Sequence, residues 1–466
     1  MDKVAQREEL IRRLVSEYCQ KHPRSEKHYR SSCSHLIRGG SHTLRLFQPF
    51  PFYDARCQGS RVIDLDGHSY IDFWQGHYAN ILGHNPKLIT DVLVDRFRKG
   101  EGLHTGFPST LQCDFARLLL GQIKGEKVRF TTSGSLTTIF AVMLARAYTG
   151  RNLILKVAGG WHGTNPYLLK GITHYDGGLN QLESSGLHRG AEEGTIVTTY
   201  NNIEDLTEKF TRYGERIACF IMEPFLGEGG FILADEGYVA KARDLTRQYG
   251  ALLIFDEVIS GFRFCPAGLQ NLYGVQPDLS TFGKIIGGGM PLAAVAGRED
   301  VMSQCHPDAP SDRRVKIEGG TFSVHPSSLL AGLTLLTYLI EHEAEIYPKI
   351  GEMGERLRKG AEEIFSEEGI KVECTGWGNS VVKHSCMGMI HFLRDGEGRI
   401  DNPEKVWNPA VCDVEMREWV LKLAMLNEGV NTLHGLGAVS AAHTQEDIDQ
   451  CLTALRRVAR KIKGMI

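Results

Sequence analysis

Between about residues 110 and 335 the chain repeats one pattern: a short apolar run, then a helix-patterned or looped segment. The runs are VRFTT, NLILKV, IACFIM, ALLIFDE and DLSTF, and the segment after the first, TTIFAVMLARAYTG, has helical spacing. Runs this short and this uniformly apolar read as strands covered on both faces. Strands alternating with helices build a mostly parallel sheet with helices on either side, which predicts an α/β fold.

The flanks have a different character. Residues 61–73 (RVIDLDGHSYIDF) read as a hairpin turning at Asp66-Gly67. At the N-terminus Leu10, Ile11, Leu14, Val15 and Tyr18 recur at helical spacing, so that segment is an amphipathic helix. Past residue 340 come a long helical pattern (EHEAEIYPKIGEMGERLRKGAEEIFSEEG), strand-like pieces, and a closing helix that Thr444 and Asp447 start with a capping-box-like pair. There are no internal repeats and no low-complexity linker. The expected organisation is a large domain over 81–340, with 1–80 and 341–466 joining into one smaller α+β domain.

With 466 residues, 42% of them hydrophobic, there is material for a large core and more than one domain. A formal net charge of -3 and no dense basic run argue against a nucleic-acid partner. Eleven cysteines, none in a C-x-x-C pair, suit a reducing compartment. The charged N-terminus lacks an apolar signal core, and LLAGLTLLTYLI (329–340) is too short to span a bilayer. The expectation is a cytoplasmic protein with no membrane partner.

Chemistry concentrates near residues 252–290. Asp256 closes the run LLIFDEV, and 28 residues later Lys284 sits between Phe282-Gly283 and Ile285-Ile286. An ammonium among apolar and glycine residues loses hydration, its pKa falls, and a nucleophilic amine results. An Asp at a strand end is equally a helix cap or turn residue, and a Lys after a strand is commonly a solvated loop residue. The Gly283-Lys284 pair is no Walker loop, since Ile285 stands where Ser or Thr should be. Together, a nucleophilic Lys and an Asp able to hold the proton of a pyridine nitrogen point to pyridoxal 5'-phosphate (PLP). Ser133-Gly134-Ser135 at the start of a helix is either a phosphate cradle or an ordinary N-cap. Trp161 could stack on a flat cofactor or be core, and His162 taken alone reads as a structural histidine. Glu223 is an anchor or a strand-end charge, while Thr321 offers a hydroxyl beside glycines. No cluster has metal-ligand spacing, so no metal is expected. Trp74, His77, Tyr78 and His325 suggest an entrance suited to an apolar or aromatic group.

The run ALLIFDEVISGFRF…YGVQPDLSTFGKIIGGGMPLAAVAGR resembles the cofactor segment of class III (fold type I) PLP-dependent aminotransferases, nearest to their glutamate-1-semialdehyde aminomutase-like branch. YIDFWQGHYANILGHNP, TTSGS…ARAYTGR, WHG, GGTFSVHP and SAAHTQEDID extend the likeness over nearly the whole chain, in the family's order. The resemblance implies a seven-stranded-type sheet and a homodimer with shared active sites. It implies that Lys284 holds PLP covalently as an imine, that Asp256 pairs with the ring nitrogen, and that Val258 and Trp161 cover the two ring faces. Ser133, Gly134 and Ser135 would hold the phosphate, with His162 and Glu223 beside the cofactor. Thr321 would reach the neighbouring subunit's phosphate, and Arg45 would take a substrate carboxylate. The implied activity is transamination between an amine or amino-acid donor and an oxo-acid or aldehyde acceptor; an aminomutase, an epimerase and a non-catalytic scaffold are the alternatives. Two positions depart from the family: Leu136 replaces a common Glu, and Gly435 stands where the aminomutases carry an acidic residue.

Overall fold

The computed structural model describes residues 3–173, 178–188, 190–394 and 399–465. Its centre is a seven-stranded sheet of β1 (Lys127–Thr131), β2 (Leu153–Val157), β3 (Thr195–Thr198), β4 (Ile217–Met222), β5 (Leu252–Glu257), β6 (Leu279–Phe282) and β7 (Ala293–Gly297), in the order β1-β7-β6-β5-β4-β2-β3. Only β7 runs antiparallel to its neighbours; β6, β5, β4, β2 and β3 pair in parallel. The fold is therefore the α/β architecture that the alternating pattern predicts, with two strands, β3 and β7, that the pattern does not mark. Every residue of β2, β4, β5, β6 and β7 is buried, which explains why these segments read as unbroken apolar runs. The helix Gly134–Thr149 follows β1, and Glu236–Tyr249 leads into β5.

The smaller domain draws on both ends of the chain. The hairpin Arg61–Asp64 with Ser69–Asp72 is antiparallel, and Val430–Asn431 adds to it in parallel, Ile71 opposite Val430. A second sheet joins Val372–Thr375, Met387–Phe392 and Gly437–Ala438. Arg7 of the first helix makes a bidentate pair with Asp413, each contact 2.8 Å. Thr444 and Asp447 form a complete capping box on the helix Gln445–Ile462. Among the described residues no helix is long and apolar enough to cross a membrane.

Candidate active site

Five strands, β1, β2, β4, β5 and β6, deliver their carboxyl ends to one place, as open α/β sheets do. A cavity of about 440 Å³ opens there, its wall including Lys284, Asp256, Val258, Gly134, Ser135, Trp161, His162 and Glu223. Parallel register sets Asp256 of β5 opposite Thr281 of β6, so the Thr281 hydroxyl donates to Asp256 Oδ1 at 3.0 Å. The Val258 amide donates to the same oxygen at 3.1 Å. His162 Nδ1 lies 2.7 Å from Oδ2. Burial pushes the His162 imidazole below its usual range, with Asp256 working against that shift. A neutral ring facing a carboxylate carries its proton on Nδ1. Its Nε2 is buried and has no hydrogen-bond partner among the described residues.

Lys284 follows β6 in the left-handed backbone region, φ +48°, a conformation that costs energy for a residue with a Cβ and recurs at functional sites. Its ammonium makes no ion pair or hydrogen bond among the described residues. Burial lowers its pKa to about 8, against the pull of Asp256 and Glu223. Glu223 sits just beyond β4, where burial and then the charge of Asp256 push its carboxyl upward. It accepts from the Trp161 amide at 2.9 Å and from the Gly227 amide at 3.1 Å, which ties the Trp161 loop to the sheet. That loop closes on the helix Gly134–Thr149: a Cβ on Gly163 would stand 2.1 Å from the Ser135 hydroxyl, and its φ is +72°. Only glycine permits the approach.

Three predicted site residues stand elsewhere. Ser133 caps the helix, accepting from the Leu136 amide at 3.4 Å, and is exposed rather than in the wall; the N-cap alternative describes its contacts. Thr321 is exposed in a turn before the helix Pro326–Glu341. Arg45 ends an exposed short turn outside the wall, although its charge acts on His42 and His77, which do line the cavity. Of the entrance residues, His77 is in the wall, with Trp74 against it at a ring separation of 6.0 Å. Tyr78 is buried. His325 belongs to another place: it caps its helix by accepting from the Ser327 amide at 3.3 Å and packs with His104 and Phe322.

Several contributors escaped sequence reasoning. His42, Thr138 and Thr164 also line the wall. Residues 75–78 all have positive φ, a left-handed turn anchored by Asp72, which accepts from the Trp74 and Gln75 amides at 3.1 and 2.9 Å. Lys156 on β2 is fully buried. Its Nζ donates to the carbonyls of Gly160, Leu168 and Lys170 at 2.8, 3.3 and 2.6 Å, pinning both ends of the loop that carries Trp161 and His162. Three carbonyl acceptors occupy all three ammonium protons, so the charged form is the one this geometry holds, even though burial, against the pull of Glu223 and Glu183, drives the pKa down to about 7. Its signal in the sequence is a lone Lys inside an apolar strand. No metal-ligand spacing is visible along the chain, but the fold brings His22, Asp64 and His68 together in the small domain. They are already joined to one another and to Tyr70 by hydrogen bonds.

The model of the aminotransferase class-III family matches residues 47–379. A glutamate-1-semialdehyde 2,1-aminomutase of Thermosipho africanus is 33% identical over 422 residues, covering 89% of this chain and 93% of that protein. Among solved structures, an omega-transaminase from Sphaerobacter thermophilus superposes with TM-score 0.84 at 27% identity, covering 94% of this chain and 98% of that one. A beta-phenylalanine aminotransferase from Variovorax paradoxus gives 0.83 at 27%, covering 97% and 96%. The chain belongs to the class-III aminotransferases. It is, accordingly, a PLP-dependent enzyme.

Proposed function

We propose that this chain is a transaminase whose reacting groups are Lys284 and Asp256. What carries the proposal is their placement in one cavity: an unpaired amine of depressed pKa beside a carboxylate held by His162, Thr281 and the Val258 amide. The residues suit PLP. The orphaned His162 Nε2 and the approach of Gly134 to Val258, 3.0 Å from where a Cβ would stand, describe a slot kept open beside Asp256. In it Asp256 would hold the ring-nitrogen proton, with Val258 and Trp161 on the two faces. The Gly134-Ser135 amides at the helix N-terminus would take the phosphate, with Ser133 supporting that turn.

Bound there, PLP supplies an aldehyde for a primary amine and a ring that accepts the electron pair released at the substrate carbon. The chain's own work is proton management and positioning. Lys284, free near neutral pH in part, would accept the substrate α-proton and hold it for return as general acid. Asp256 keeps the ring nitrogen protonated while His162 and Thr281 fix its orientation. Glu223 and Lys156 hold the Trp161 loop in place.

Thr321 lies beside exposed Phe322, and Leu103 and Phe107 are 70% and 76% exposed. These support a homodimer in which Thr321 completes the partner's site. Eleven free cysteines support a cytoplasmic setting. The domain division at about 80 and 340 is supported by the shared sheet of Ser69–Asp72 and Val430–Asn431. The test is Lys284→Ala, which abolishes turnover and the imine absorbance band; retention of both refutes the assignment. The names of the 33%-identical relatives favour an aminomutase as the second reading. A single substrate supplied without an oxo-acid acceptor separates them: a mutase keeps turning over, whereas a transaminase stops after one half-reaction.

A further inference from the structure

In the small domain, His22, Asp64 and His68 bring three metal-ligating atoms within 4.8 Å of one another. His22 stands at the break between the helices Lys3–Lys21 and Pro23–Ser32, Asp64 ends the first strand of the hairpin, and His68 is in its turn. The His22 and Asp64 side chains are buried, whereas that of His68 is 39% exposed. Among the described residues Asp64 has no Lys or Arg partner. Its charged-pair neighbours are the two imidazoles, with His22 Nε2 3.2 Å and His68 Nδ1 3.1 Å from Oδ2. Oδ1 accepts from the Asp66 and His68 amides at 3.0 and 2.8 Å. A carboxylate this deep is costly without positive charge beside it.

The protons of neutral side chains do not suffice for these contacts. His22 Nδ1 lies 2.6 Å from the Tyr18 carbonyl, which can only accept, so a neutral His22 carries its proton there and Nε2 is a lone pair. The Tyr70 hydroxyl is 2.5 Å from that Nε2 and 3.0 Å from Asp64 Oδ2. Its one proton serves only one of them, and Nε2 and Oδ2 still face each other. A cation held by both removes the conflict and frees the Tyr70 proton for Asp64. The separations suit one: ligand atoms on a tetrahedral zinc-class ion, with bonds of about 2.0–2.1 Å, stand roughly 3.3 Å apart. Oδ2 is already 3.1 and 3.2 Å from the two imidazole nitrogens. The Tyr18 carbonyl orients His22 as outer partners of metal-bound histidines do, and the exposed edge of His68 gives an ion its way in.

We propose that His22 Nε2, Asp64 Oδ2 and His68 Nδ1 bind a divalent metal ion of the zinc class, with Tyr70 donating to Asp64 and a water in the fourth position. Two imidazoles and one carboxylate favour such an ion over magnesium or calcium, which take more oxygen ligands. None of the three lines the Lys284 cavity, so the role is structural: the ion ties the junction of the first two helices to the hairpin. The hairpin turn already grips the second helix, where the Arg24 and Ser25 amides donate to Asp66 at 2.7 and 2.9 Å, and the ion fastens the end of the first helix beside it.

The test titrates the chelator-treated holoenzyme with Co²⁺, whose tetrahedral complexes absorb at longer wavelength than the cofactor. Wild type takes up one ion per chain with that absorbance, and its Tm rises by a few degrees, as binding to the folded state alone requires. His68→Ala loses both the absorbance and the rise. X-ray absorption of the zinc-loaded wild type, which needs no variant and so also serves if His68→Ala fails to fold, shows imidazole and oxygen neighbours and no sulfur. Absence of the absorbance in wild type overturns the proposal, and a proton on His22 Nε2 then satisfies Asp64 instead. Equal binding in folded His68→Ala, or sulfur at the metal, overturns it too, the latter by placing the ion on cysteines.

Discussion

His162 Nδ1 stands 2.7 Å from Asp256 Oδ2, with both side chains buried. The contact joins the loop after β2 to the end of β5, two elements separated by 94 residues. It gives the carboxylate a third donor beside Thr281 and the Val258 amide.

Replacing Asp256 with Asn keeps the shape but removes the charge proposed to hold a ring proton. Cofactor binding should survive, while the half-reaction with an amine donor slows by a hundredfold or more, on the order of a lost acid–base group. Stopped-flow absorbance of the bound cofactor measures it; near-normal rates would mean that Asp256 does not hold the ring proton.

The depressed Lys284 pKa makes its reactivity pH-dependent. In cofactor-free protein, acetylation at Lys284, followed by mass spectrometry, should rise with pH about a midpoint near 8 instead of the ordinary 10.5. Between those values the unfolded chain binds the proton and the folded chain does not. The Lys284 contribution is therefore unfavourable below about 8 and is relieved as pH climbs toward 10.5. A labelling midpoint near 10.5 would contradict the environment described here.

Lys156→Met removes three N–H donors and leaves the carbonyls of Gly160 and Lys170 without them, while the Leu168 carbonyl keeps the Lys170 amide at 2.9 Å. Unpaired buried acceptors cost about 1–3 kcal/mol each, so stability should fall by on the order of 2–3 kcal/mol. Urea unfolding reports this. Cofactor affinity should fall with it, because Trp161 and His162 ride on the same loop.

The resemblance puts Gly435 where the aminomutases carry an acidic residue, and its surroundings disfavour a side chain there. Its φ is +89°, and a Cβ would stand 3.1 Å from Ile390 Cβ and 3.2 Å from Leu421 Cδ2. Gly435→Glu should therefore lower Tm by several degrees, about 1–3 kcal/mol of strain and overpacking, and confer no mutase activity. An unshifted Tm would show that the pocket accommodates the side chain.

Much of the large domain was legible because its strands are buried on both faces, so the apolar runs stood out without help from periodicity. β3 escaped notice because its TIVT run is short and half polar, and β7 because AAVAG is too small and glycine-bounded to mark as a strand. Lys284, Asp256 and the Trp161-His162 pair were visible because each interrupts or closes an apolar segment. Lys156 was overlooked although it does the same, since nothing local shows which carbonyls it meets. His325 shows the same limit from the other side: the neighbourhood of a histidine is set by the element it caps.

The order of strands and helices, the capping box at Thr444 and the charged residues at strand ends were settled along the chain itself, because periodicity, caps and burial of both sheet faces are local constraints. Which strand ends meet was decided only in three dimensions. The parallel register that sets Thr281 beside Asp256, the loop that returns His162 to it and the crowding around Gly435 depend on contacts between residues far apart in sequence. Pairing and exclusion of that kind follow from packing, which no local pattern encodes.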